Sequence, residues 1–152
     1  MKSILASTLL SGTVATVATT AILAGLAALR GHSPVLTTNA TSHWFHGESA
    51  ARVVAHDLRH TATGFATHWA ASLFWAAVFQ GLRRLGPRRR PLSDALGVSA
   101  VAAAVDYGIV PKRLTPGWEM VVGPVSIGIT YGVMAFALAA TASRSGNERC
   151  DP

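Results

Sequence analysis

The sequence predicts an all-α fold: a four-helix transmembrane bundle, antiparallel, with a short surface helix on the outer side before the second span. Three observations predict it. Half of the 152 residues are hydrophobic and only 13% are charged, too apolar and too poor in charge for an ordinary soluble domain. Four stretches, 3–29, 62–82, 93–110 and 118–142, are nearly free of charge. At ~1.5 Å of rise per residue each approaches the ~30 Å of a hydrocarbon core. Finally, Arg83, Arg84, Arg88, Arg89 and Arg90 crowd the short connection after the second stretch, the pattern of a cytoplasmic loop.

The first span follows Met1 and Lys2. A cleaved signal peptide is the competing reading, but the apolar run is too long and no Ala-x-Ala step ends it. Ser7 and Ser11, and Gly12, Thr16 and Thr20, form stripes of small residues at helical spacing. Such stripes let helices approach closely, and the hydroxyls of Thr13, Thr16 and Thr19 can bond to backbone carbonyls. Tight packing is favoured over a polar conduction path. Arg30 to Pro34 ends the span, and 35–47 reads as a loop whose Trp44 and Phe45 dip into the interface. Asn39-Ala40-Thr41 matches a glycosylation acceptor and is read as chance. Residues 48–59 have helical character, with Ala51, Val54, Ala55 and Leu58 on one face and Glu48 and Arg52 paired on another. Gly64 is expected to bend the junction with the second span.

In the second span, 62–82, His68 and Gln80 are the only strongly polar side chains, and Trp69 sits where amphipathic rings favour the interface. After the arginines, Ser93 reads as an N-cap, with Asp94 at the positive end of the helix dipole. The third span carries Asp106. Prolines close the outer turn at 111–117. The fourth span opens with Trp118 and Glu119, contains Pro124 as an expected kink, and carries Gly128 and Gly132 as a packing motif. Residues 1–142 thus form one integral membrane domain, and 143–152 are expected to be a disordered cytoplasmic tail.

Basic residues fix the orientation. Lys2, the loop arginines, Arg144 and Arg149 fall inside; Arg30, Arg52, Arg59, Lys112 and Arg113 fall outside. The dense loop decides the balance and puts both termini in the cytoplasm, in a plasma (inner) membrane. The net charge of +6 is then a topology signal and does not call for a nucleic-acid partner. Cys150 is the only cysteine, so no internal disulfide can form.

The unusual polar residues gather at the outer end: His43, His46, His56, Asp57, His60, His68, Asp106 and Glu119. His56 and His60, four apart on an expected helix, could present their rings to one divalent metal, with Asp57 orienting His60. No other cofactor is indicated: no other predicted span carries a histidine to pair with His68 on a haem. His68, Asp106 and Glu119 form a candidate polar or proton-relay cluster, because ionisable groups at membrane depth are costly and usually face a partner. The competing reading makes Asp106 an interfacial carboxylate paired with Lys112, Arg113 or a histidine. Trp44, Trp69 and Trp118 read as an aromatic belt. No nucleophile–base set, phosphate loop or zinc-protease motif is present, so no catalytic residue is assigned.

SHWFHGE at 42–48, RHTATGFATHWAASLFWA at 59–76 and DYGIVPKRLTPGWE at 106–119 resemble a group of small, uncharacterised bacterial inner-membrane proteins. The resemblance implies a multi-pass bacterial membrane protein and no established activity, so no residue role transfers. The leading expectation is a non-enzymatic protein acting by helix association or structural support. Its partners would be the lipid bilayer and a second copy or another membrane protein. Ion, proton or metal handling through the outer cluster is the alternative.

Overall fold

The computed structural model describes residues 3–85 and 90–146, with side chains to 142. Arg88, Arg89, Lys2, Arg149, Cys150 and the end of the tail lie outside the described residues, as does the Arg144 side chain. The described residues are helical with no strands. Four long helices, α1 (Ile4–Leu29), α4 (Thr63–Leu85), α5 (Pro91–Ala104) and α6 (Pro124–Gly146), are joined at one end by two short ones, α2 (Leu36–Thr41) and α3 (His43–His46). α1 packs between α4 and α6, while α5 packs on α6 and more loosely on α4.

Three segments are long and apolar enough to cross a membrane: Ile4–Leu29, Pro91–Ile109 and Pro124–Ala142. α4, the stretch expected as the central span, has the length but not the mean hydropathy. The shortfall comes from one side of the helix. Its buried residues include Gly64, Ser72 and Gln80, whereas Phe65, Ala66, Trp69, Ala70, Phe74, Ala77 and Val78 form an entirely apolar or aromatic outward face.

The stripes of α1 face inward, with Ser11, Gly12, Ala15, Thr16 and Thr19 buried. A Cβ on Gly12 would fall 2.9 Å from Leu73 Cα, so glycine here sets how closely α1 and α4 approach. Thr16 and Thr19 donate their hydroxyls to carbonyls one turn back, at 2.8 and 2.7 Å. Near the other end, Ser11 Oγ lies 2.8 Å from both Gln80 Nε2 and Thr141 Oγ1, tying α1, α4 and α6 together. Where helices have only lipid as an alternative neighbour, close packing and such bonds supply the association energy.

Several expected local structures differ. The 35–47 loop is α2 and α3, and it is buried: Thr37, Asn39, Ala40, Thr41, Ser42 and His43 are all at most 4% exposed. Polar residues can be buried there because they bond locally; Ser42 Oγ, for example, donates to the Asn39 carbonyl at 2.7 Å. Phe45 is exposed, but Trp44 donates its indole N–H to the Thr115 carbonyl at 2.8 Å. No continuous helix spans 48–59. A 3-10 turn at Glu48–Arg52 gives way to non-helical backbone at 53–57 and then to a π-helical turn at Leu58–Ala62. Buried Asn39 is the cause: its Nδ2 donates to the Val53 and Ala55 carbonyls, at 2.6 and 3.0 Å, and its Oδ1 accepts from Thr61 Oγ1 at 2.7 Å.

Gly64 does not bend a junction. A Cβ there would sit 2.0 Å from the Thr38 carbonyl oxygen, so its role is to let α2 press against α4. α5 begins at Pro91 with Arg90, not Ser93, as the capping residue, because proline at the first helical position needs no N–H partner. Asp94 does fall in the first turn, its carboxylate 3.7 Å from Arg83. Pro124 starts α6 instead of kinking it, and Trp118–Met120 form a separate 3-10 turn. A Cβ on Gly128 or Gly132 would meet nothing within 4 Å, so neither glycine is needed for a close helix approach among the described residues. α6 continues to Gly146, into the segment expected to be disordered.

Candidate functional site

The C-terminal end of α5 tightens the geometry in a way hydropathy does not reveal. Val105–Ile109 form a π-helical turn, closed by the Val110 N–H bonding to the Val105 carbonyl at 3.0 Å. The wider turn re-aims the side chains that follow, and π-turns recur at functional sites. Here it carries Asp106 and Tyr107 toward α6, where the Tyr131 hydroxyl donates to Asp106 Oδ2 at 2.5 Å. Asp106 is therefore paired with a tyrosine from within the helices, and no ion pair to Lys112 or Arg113 is formed by it among the described residues. Glu119 is exposed, accepts a hydrogen bond from Thr115 Oγ1, and lies within electrostatic reach of Tyr107 and Tyr131. The Tyr107 hydroxyl is buried beside it without a well-formed hydrogen bond.

His68 reaches the same region from α4. Thr19 Oγ1 has one proton and gives it to the Ala15 carbonyl, so it accepts from His68 Nε2 at 2.8 Å. That assignment makes Nδ1 the lone-pair side of a neutral ring. Trp118 stands edge-on to the imidazole at 5.3 Å between centroids, and its indole N–H donates to Thr41 Oγ1 at 3.2 Å. Trp118 is only 5% exposed, so it is an inner wall and not part of an aromatic belt. Trp69 is closer to that expectation, half exposed, with its N–H on Thr13 Oγ1 at 3.1 Å.

These residues enclose a cavity of about 480 Å³ in the seam where α4 and α5 pack loosely. Its walls are dominated by Trp44, Phe74, Trp75 and Trp118, and its polar points are His68, Asp106 and Tyr131 with three small hydroxyl residues. Asp106 is the one formally charged side chain among the described lining residues. A wider groove of about 650 Å³ runs past His56, Asp57 and Phe65, but it is shallow and open to solvent.

The histidines expected to share a metal are arranged otherwise. His56 is exposed on the non-helical 53–57 segment, while His60 lies in the π-turn, so the helical face that would present both rings is not formed. His60 instead meets Asp57, with the His60 ring Nδ1 3.0 Å from Asp57 Oδ2, and His46, whose ring centroid is 5.0 Å away. The His60 backbone N–H also donates to Asp57 Oδ1 at 2.5 Å, and this bond, aided by the ring, holds the carboxyl below the usual carboxylate range. A depressed carboxyl stabilises its turn above the ordinary carboxylate pKa, and that contribution is lost as pH falls through the lowered value. His43 is buried in α3 with Nδ1 donating to the Ala40 carbonyl at 2.8 Å. Among the described residues, no three His, Cys, Asp or Glu side chains converge as a metal would require.

Protein-family models, curated proteins and solved structures offer no match to this chain. The chemistry of the cavity is therefore the guide to what the chain does. Tyr131 and Tyr107 are the residues that reading along the sequence passed over, and Thr19, read as a packing hydroxyl, also holds the His68 ring. A tyrosine inside an otherwise apolar run was the available signal, since its hydroxyl needs a partner when buried.

Proposed function

We propose that this is a non-enzymatic, multi-pass membrane protein, bacterial and of the inner membrane, that crosses the bilayer four times and holds a small ligand in the cavity between α4 and α5. Both termini would be cytoplasmic, with α2, α3 and the outer turns on the far side. The apolar outward face of α4 supports its being the fourth span: the polar residues that lower its hydropathy point away from lipid.

The observation that carries the ligand reading is the cavity itself. A protein built only to pack helices would not turn ionisable side chains into such a space, because desolvating them without full pairing costs stability. Here about 480 Å³ stays open, within the range of small-molecule sites, and it is apolar with a few convergent polar groups. Two of those groups keep acceptors free: Nδ1 of His68 and Oδ1 of Asp106 make no hydrogen bond among the described residues. This favours ligand handling over purely structural support.

Ala71 lines the cavity and Val17 faces outward from α1. In a Cys150→Ser background, Ala71→Cys should react with a small maleimide in membranes, because the polar points His68, Asp106 and Tyr131 draw water into the cavity and let the thiol ionise. Val17→Cys should stay unreactive in hydrocarbon. Equal, slow labelling of both would show that the space is closed or filled by lipid, and the ligand reading would fall.

A further inference from the structure

Three features of the cavity narrow the class of ligand, and the argument rests on the ligand-holding reading above. The first is charge: Asp106 is the one charged side chain among the described lining residues, and no lysine or arginine balances it there. The second is directional. Tyr131 uses Oδ2 of Asp106, so Oδ1 remains an acceptor, and Thr19 uses Nε2 of His68, so Nδ1 remains an acceptor too. Both vacancies call for a donor. The third is the wall. Trp75, Phe74, Trp44 and Trp118 line it with aromatic rings, whose π-faces attract a cation and suit a flat apolar body over a hydrated one.

Together these exclude the other classes by chemistry. A divalent ion needs several oxygen or nitrogen ligands around one point, and no such convergence exists among the described residues. An anion would meet Asp106 with no cationic partner. A plain acyl chain would leave an acceptor pair unsatisfied in an apolar site, and each unmet acceptor weakens binding.

We propose that the α4–α5 cavity is a binding site for a lipophilic organic ammonium, whose N–H groups donate to Asp106 Oδ1 and His68 Nδ1 while its apolar body lies among the tryptophans. Phe74, on the cavity rim, is 60% exposed on the outward face of α4, so the seam opens sideways. A lipophilic amine partitioned into the bilayer reaches the site through that opening without crossing the outer cap.

The test uses the full-length protein in nanodiscs of zwitterionic lipid, which removes attraction by anionic headgroups. Three probes of one shape are compared by equilibrium dialysis against empty discs: naphthylethylammonium, neutral naphthylethanol and anionic naphthylacetate. The ammonium should bind saturably and at least about tenfold tighter than the alcohol, the worth of one charge-assisted hydrogen bond. Naphthylacetate should not bind. Asp106→Asn keeps an oxygen for the Tyr131 hydroxyl and should reduce the ammonium to the affinity of the alcohol. Glu48→Gln, exposed and outside the cavity lining, should leave both unchanged.

Equal binding of ammonium and alcohol to the wild type would overturn the cation assignment while leaving the cavity as a site. Unchanged ammonium binding by Asp106→Asn would overturn it as well. Binding of none of the three probes would also overturn it, and labelling of Ala71→Cys then decides the broader reading separately. The probe series on the wild type decides the matter even if a variant fails to assemble.

Discussion

Gly64→Ala should disrupt the end of the molecule capped by α2, with a loss of about 3 kcal/mol or more and a clear fall in the temperature at which the detergent-solubilised protein stops running as a single species. A Cβ at this position would stand 2.0 Å from the Thr38 carbonyl oxygen and 3.3 Å from the Ser42 amide nitrogen. Both are backbone atoms of the α2 segment, so no side-chain rotation relieves the clash. Overpacking in cores typically costs ~1–3 kcal/mol when side chains can adjust, and here α2 itself must lift from α4. Thr41, on α2, holds the Trp118 indole, so the displacement should reach the cavity wall. Gly25, which meets nothing within 4 Å, is the control: Gly25→Ala should be neutral or slightly stabilising, as alanine in a helix generally is. Equal stability of Gly64→Ala and wild type would show that α2 does not press on α4.

Asn39→Asp should release the 53–57 segment. The change preserves shape but replaces a donor with an acceptor, and sets it against the Val53 and Ala55 carbonyls, at 2.6 and 3.0 Å. Two carbonyls lose their donor and the new oxygen faces both, for a cost of about 3 kcal/mol or more from unsatisfied and repelling buried groups. Exposed Arg52 and Arg59 flank this segment, so limited trypsin digestion reads the result directly. The variant should be cut there many times faster than the wild type, while the long helices remain intact. An unchanged digestion rate would mean that Asn39 does not anchor the segment.

The two predictions turn on residues whose roles lie at different depths of the sequence. That 3–29 and the third and fourth apolar stretches form long helices follows from composition, and Asp94 falls in the first turn of its helix as a carboxylate there should. Of the expected cluster of His68, Asp106 and Glu119, the first two line one cavity and Glu119 lies outside that lining. Hydropathy averaging hid the asymmetry of α4, because His68, Ser72 and Gln80 lower the mean while all facing one way. Segment 35–47 reads as a loop because its residues are polar, and only the Asn39 and Ser42 bonds explain how such residues can be buried. The π-turns at Leu58–Ala62 and Val105–Ile109 have no local sequence signature; they answer to tertiary partners such as Asn39 and Tyr131.

The most direct measurement is spin-label accessibility along α4. Single cysteines at Ala66 and Ala77, on the outward face, and at Ala71, in the cavity, would be labelled in a Cys150→Ser background and reconstituted in bilayers. Relaxation by oxygen, which concentrates in lipid, is then compared with relaxation by a water-soluble nickel chelate. Ala66 and Ala77 should favour oxygen strongly, and Ala71 should respond to the nickel chelate despite lying at a depth between them. Nickel access at Ala66 and Ala77 equal to that at an exposed outer residue such as Ser49 would place α4 outside the bilayer, leaving three spans and no membrane-embedded site.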